Sequence, residues 1–303
     1  MIRSVTVTNH LNESLVMELM SPEKSGLAIR SIGGITPGQA DINMSDIATG
    51  DGSRFQSSRL NARNITFQIL LYGYPIEDSR QKVYRYFPLK RQITLRFITD
   101  NRDVEITGYV EAAEANIFSK DEEMAISVIC PFPYFRTSGG DGFLETTLYG
   151  IEPEFEFPFS NESLDDPLLV FSSIKIAETA TVNYVGDVDV GVVISLYVYY
   201  PCGSVTLYNV TTRQTMTIDS AKVEKMTGSE LKTGDEITVN TVKGQKGVSL
   251  LRNGKYYNIL NCIDKDADWI YLTRGENVIA YTAENGMENL QMTMRNQTLY
   301  SGV

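Results

Sequence analysis

Residues 2–8, IRSVTVT, alternate along an extended chain. Ile2, Ser4, Thr6 and Thr8 fall on one face, and Arg3, Val5 and Val7 on the other. β-Branched residues fill the run and suit a pleated, half-buried surface. Runs of the same kind follow: SLVMELM (14–20), NITFQILLYGY (64–74), QITLRFI (92–98), VEITGYVEAAE (104–114) and MAISVIC (124–130). The turn NHLNE pairs the first two, and TDNRD marks a hairpin between 92–98 and 104–114. One stretch keeps a helical period instead. In IEDSRQKVYRYF, Ile76, Val83 and Phe87 form a stripe, Asp78 or Ser79 is placed to cap the start, and Pro88 stops it. The order of elements predicts an α+β domain, with one helix on an antiparallel sheet.

After Phe135 the composition shifts to Gly and Ser, in RTSGGDGFLETT. Beyond it the pattern is all-β: VVISLYVYY (192–200), SVTLYNV (204–210), QTMTIDS (214–220), DEITVNTV (235–242), KGVSLLRNGK (246–255) and DWIYLTRGENVIAYTAE (268–284). Short strands at close spacing, punctuated by Gly-rich turns, predict a sandwich or jelly roll. A chain of 303 residues has room for two domains. The fold class expected is therefore mainly β: an α+β domain over 1–136, a linker over 137–145, and a β-sandwich over 146–303.

Residues 21–62 break the pattern. They are rich in Gly, Ser and Asp, with little periodicity. A stretch that long without regular structure is uncommon inside a compact domain. It reads either as a surface loop or as an arm that orders against a neighbouring subunit, with Asp51, Gly52, Arg54 and Arg59 as candidate interface residues.

Catalytic signatures are sparse. His10 stands alone, at the end of the first strand, so a multi-histidine metal site is out of reach. Cys130, Cys202 and Cys262 lie far apart, without C-x-x-C spacing, and Cys130 reads as a core residue ending a strand. Asp264, Asp266 and Asp268 alternate as in a calcium loop, but Trp269 and Gly275 occupy the positions where that loop needs Gly and Glu. GQKG (244–247) lacks the spacing of a phosphate loop. No catalytic residue, metal ligand or cofactor is assigned. A formal charge of −11 argues against sequence-specific nucleic-acid binding, and no apolar run has the length of a membrane span.

Taken in order, several segments resemble the distal tail protein (Dit) family of long-tailed bacteriophages. In the first half these are GITPGQADI (34–42), GDGSRFQSSRLNARNITFQILLYG (50–73), IEDSRQKVYRYFPLKRQITLRF (76–97), ITGYVEA (106–112) and ISVICPFPYF (126–135). In the second half they are LKTGDEITVNTVKGQKGVSL (231–250), DWIYLTRGENVIAY (268–281) and the closing YSGV (300–303). The resemblance implies a non-enzymatic tail-tip or baseplate hub in the virion, from a phage, a prophage or a tail-like bacteriocin. It implies a homo-hexameric ring of N-terminal domains continuing the tail tube around a DNA channel. The C-terminal galectin-like sandwiches would then face outward, toward baseplate and receptor-binding proteins. Two alternatives stand beside it: a carbohydrate-binding module of a tail particle using Trp269 against cell-wall glycans, and a tail-associated hydrolase with a carboxylate pair that nothing in the sequence singles out.

Overall fold

The computed structural model describes residues 1–47, 49–116, 121–139, 143–147, 149–153, 172–176 and 179–303. The chain is mostly β, with two α-helices among the described residues. It divides into two compact units, Met1–Gly142 together with Leu299–Val303, and Phe143–Thr298. Residues 299–303, expected in the second domain, thus belong to the first. Part of the expected linker, 140–142, lies outside the described residues.

Unit 1 carries β1 (Ile2–Thr8), β2 (Ser14–Glu18), β3 (Leu27–Gly33), β4 (Ala40–Asp46), β5 (Ser53–Leu60), β6 (Arg63–Leu71), helix α1 (Ile76–Tyr86), β7 (Gln92–Thr99), β8 (Asp103–Asn116), β9 (Glu123–Cys130) and β10 (Phe135–Thr137). Its main sheet runs β2-β1-β7-β8-β9-β6-β3, and the pairings along it are antiparallel. One face is dry. Along β6, Ile65, Phe67, Ile69 and Leu71 point inward while Asn64, Thr66 and Gln68 are exposed. Phe67 meets Phe87 edge-on at 6.0 Å and stacks on Phe97 at 6.5 Å, and Phe97 meets Phe135 edge-on at 5.7 Å. Each such side chain contributes about 1.5–3 kcal/mol on leaving water. In α1, Val83 is fully buried and Phe87, at its C-cap, is nearly so.

The expected cap of α1 is corrected. Pro75 holds the N-cap position without a side-chain bond, three residues before Asp78, where the expected capping pair begins. Ser79 is buried and donates its hydroxyl to Tyr72 O at 3.3 Å, so it is spent on the preceding loop. Cys130 ends β9 fully buried, and burial pushes its thiol up to about 11. His10 is exposed in the β1–β2 turn.

Unit 2 carries β11 (Phe143–Thr147), β12 (Tyr149–Pro153), β13 (Ser172–Ile176), β14 (Thr179–Tyr184), β15 (Val190–Val198), β16 (Val205–Asn209), β17 (Gln214–Ile218), helix α2 (Ser220–Thr227), β18 (Glu236–Asn240), β19 (Gly247–Arg252), β20 (Lys255–Asn258), β21 (Tyr271–Leu272), β22 (Gly275–Ala283) and β23 (Leu290–Gln297). The sandwich has one sheet ordered β11-β23-β15-β18-β19-β20, with β21 beside β15, and a second ordered β14-β22-β16-β17. A last strand, β24 (Leu299–Tyr300), pairs with β10 in unit 1.

The reading of 268–284 as one strand is corrected. Asn277 turns the chain by accepting from Thr273 N at 3.0 Å and donating to Thr273 O at 2.7 Å. Helix α2 was missed, although its ends are signalled in DSAKVEKMTG. Asp219 caps it by accepting from Lys222 N at 3.1 Å, and Gly228 closes it at φ +83. A buried ion pair joins the region after α2 to the sheet: Arg252 reaches Asp235 at 2.8 and 2.5 Å and also donates to Thr227 Oγ1 and Glu230 O. With its remaining donors also occupied, the pair avoids the penalty of an unsatisfied buried charge.

Candidate functional site

The segment 21–62, expected to lack regular structure, holds β3, which pairs with β6 in the main sheet, and then a β-hairpin. β4 and β5 pair with each other and with nothing else among the described residues. A bulge between Asn43 and Met44 places one extra residue, Gln56, on β5. That extra residue shifts the alternation of β5 by one, which hid the period in the sequence. In the observed register Ile42 and Met44 on β4 share a face with Phe55 and Leu60 on β5. Ile42, Met44 and Phe55 are 53%, 57% and 60% exposed, so this is an apolar strip open to solvent.

The opposite face is polar. Arg59 meets Asp41 at 3.2 Å and Gln56 donates to Ser45 Oγ at 2.9 Å. Arg54 lies opposite Ser45, and Asp51 and Gly52 sit in the exposed turn, where Gly52 adopts φ +95. The four candidate interface residues thus share one exposed hairpin, and Arg59 already has an ion-pair partner within it. The apolar strip was not singled out from the sequence. ADINM alternates, and that was the available signal.

The root of the hairpin is fixed by Arg63. Its guanidinium, 7% exposed as a residue, donates to Pro133 O at 2.7 Å, Gly34 O at 2.6 Å, Thr36 O at 2.7 Å and Ser301 O at 2.7 Å. It also lies 4.9 Å from the centre of the Phe135 ring. Burial pulls the Arg63 pKa below the usual arginine range. Gly34 crosses so close to β6 that a Cβ there would sit 2.0 Å from Asn64 O, and its φ of +76 favours glycine as well. Val303 N donates to Ile35 O at 3.0 Å and Arg102 to Gly302 O at 2.9 Å, so residues 299–303 strap the same loop. A cavity of about 310 Å³ opens beside it, lined in part by Thr36, Gln39, Leu60 and Asn61.

In unit 2, Trp269 is half-buried and lines a cavity of about 400 Å³ with Asn261, Asp264 and Lys265. The Lys246 ammonium stands 5.0 Å from its ring centre. Asp264 pairs with Lys222 at 3.2 Å, and the described residues hold no group of three potential metal ligands. Burial raises the thiol pKa of Cys202, to about 11, and of Cys262. A different feature escaped sequence reading. Tyr197, on the outer side of β15, and Tyr199, just past its end, stand at 4.9 Å between ring centres over a groove of about 440 Å³. The alternating aromatics of LYVYY were the signal.

No protein-family model matches the chain, and no curated protein matches its sequence. Its fold does match solved structures, and these include a phage Dit protein. SPP1 Dit (gp 19.1), described as a paradigm of hub adsorption apparatus in Gram-positive infecting phages, aligns with a TM-score of 0.60 at 11% identity, over 97% of this chain and 98% of that one. The phage P2 baseplate in its activated conformation with Ca aligns with a TM-score of 0.43 at 10% identity, over 97% and 98%. The chain therefore has a Dit-like fold.

Proposed function

We propose that this protein is a structural, non-enzymatic component of a phage tail tip, and that unit 1 assembles into a closed ring of identical copies. The Dit-like fold across nearly the whole chain supports the setting. The observation that carries the assembly is the hairpin β4–β5. A two-stranded hairpin alone is marginal in water, and this one presents Ile42, Met44 and Phe55 uncovered. A neighbouring copy covers the strip, and a head-to-tail contact of this kind closes into a ring. Six copies follow from the Dit resemblance. The tail tube protein lies on one side of the ring and baseplate or receptor-binding proteins on the other. The net charge of −11 suits a channel through which DNA slides without sticking. The strip is apolar and Arg59 is paired within its own hairpin, so hydrophobic burial drives the contact more than ion pairs between copies.

Sedimentation of wild type and of a deletion of residues 45–58, at matched concentration, tests this reading. The deletion is expected to leave both units folded and to abolish or weaken the oligomer. A deletion variant that still forms the full ring would remove the hairpin from the interface.

A further inference from the structure

The outer face of the larger sheet in unit 2 carries a group of side chains that the tail-tip reading does not use. Tyr197 on β15 lies opposite Glu236 on β18 and Gln291 on β23, and Ser195 lies opposite Thr293. Burial along β15 alternates strictly. Ile194, Leu196 and Val198 face the core, so Ser195 and Tyr197 stand outward. Together with Tyr199 these residues line the 440 Å³ groove. That volume falls within the range of about 300–1,000 Å³ typical of small-molecule sites.

From this placement we infer that the groove is a binding site for a neutral saccharide. The lining supplies the two surfaces such a ligand needs. Tyr197, 40% exposed, offers an aromatic face to the C–H side of a sugar ring, and Tyr199 meets it at 70° to form a corner. The polar groups are available for hydroxyls. Tyr199 donates to Gln291 Oε1 at 2.7 Å, which fixes the amide and leaves its NH₂ to donate outward. The Glu236 carboxylate and the Ser195 and Thr293 hydroxyls have no side-chain partner among the described residues, although Ser195 and Thr293 face each other in register. Elsewhere such cross-strand pairs close on themselves, as Thr206 and Thr217 do at 3.0 Å and Thr8 and Ser14 at 2.9 Å. The charge selects the ligand class. The lining has one carboxylate and no cation, which disfavours phosphate- or sulfate-bearing polymers and suits an uncharged, hydroxyl-rich one. The Trp269 cavity is the weaker platform, since the Lys246 ammonium stands over the indole.

Titration calorimetry of the full chain with chitotetraose, cellotetraose and a galacto-oligosaccharide, each raised to about 10 mM, tests the inference. At least one is expected to bind. Tyr197→Ala should weaken that binding about tenfold or more, Gln291→Ala and Glu236→Ala should weaken it several-fold, and Trp269→Ala should leave it unchanged. Thermal unfolding of each variant confirms that the fold is retained, and Gln291→Ala carries the test if Tyr197→Ala does not fold. The inference is overturned if none of the three sugars binds, or if binding survives both the Tyr197 and Gln291 substitutions. Binding lost on Trp269→Ala alone, or matched by a polyphosphate probe, overturns it as well. None of these outcomes bears on ring assembly, which sedimentation reads through unit 1.

Discussion

Strands β5 and β6 are separated only by Asn61 and Ala62, yet they end in opposite environments. β6 buries Ile65, Phe67, Ile69 and Leu71 between β3 and β9, whereas β5 buries no residue and, among the described residues, has only β4 beside it. β6 carries its apolar residues at strand spacing, and so does β4, the partner of β5, with Ile42 and Met44. The difference lies in what the rest of the chain brings to each: a helix, two flanking strands and an aromatic cluster for β6, and a single bulged partner for β5. Alternation reports that a segment is extended. It does not report whether anything covers the apolar side.

The largest effect that would break this contrast is a matched pair of truncations. Phe67→Ala should destabilise unit 1 by about 3–5 kcal/mol, through lost burial and the cavity left beside Phe87 and Phe97. Phe55→Ala should change the stability of the isolated chain by less than about 0.5 kcal/mol, since its ring is already in water. Denaturant unfolding of both variants at low protein concentration measures the pair. Equal losses would mean that β5 is covered within one chain.

A smaller effect sharpens the boundary between the two strands. Arg63→Ala should cost about 2–3 kcal/mol, because it strands the carbonyls of Gly34, Thr36, Pro133 and Ser301. Hydrogen exchange should rise at Val303, whose amide donates to Ile35 O, while the centre of β6 stays protected. Uniform exchange across unit 1 would show that Arg63 supports the whole sheet and not the hairpin root.

The smallest effect lies on the rim of the covered region. Glu13, in the β1–β2 turn, accepts a forked pair of bonds from Arg85 near the end of α1. That guanidinium, with the Asn9 amide second, lowers its pKa from 4.5 to about 2. A folded pKa below the unfolded one contributes stability that is complete above about pH 4.5 and is lost as pH falls toward about 2. Solvent screens this exposed pair, so the change is slight. The stability gap between wild type and Glu13→Gln should therefore close over that acid range. A gap that is constant with pH would show that the contact acts through shape and not charge.

Several elements were legible because their signals are local. Val5 and Val7, and Val83 and Phe87, are buried where the periods of a strand and a helix put them. A register shift at Ile2–Ser4, however, leaves Arg3 exposed and Ser4 buried, and Ile76 of the expected stripe is 36% exposed. Helix α2 was also legible, from Asp219 and Gly228, but its eight residues are flanked by strong strand patterns that drew the reading away. The hairpin was hidden by one residue, since the bulge at Gln56 breaks the period that marks β5. Capping of α1 was misassigned because Asp78 and Ser79 have the right chemistry, while the neighbouring Pro75 and Tyr72 decide where the helix begins.

By itself the sequence determined which segments extend, where the one long helical stripe falls, and that a lone histidine and three scattered cysteines offer little catalytic machinery. Tertiary structure alone decided which apolar faces are covered, that residues 299–303 return to unit 1, and that Tyr197, Glu236 and Gln291 meet on one surface. The physical reason is range. Periodicity is set by neighbours a few residues apart, whereas Arg63 finds Ser301 across 238 residues, and that closure becomes favourable only when the sheet between them has formed.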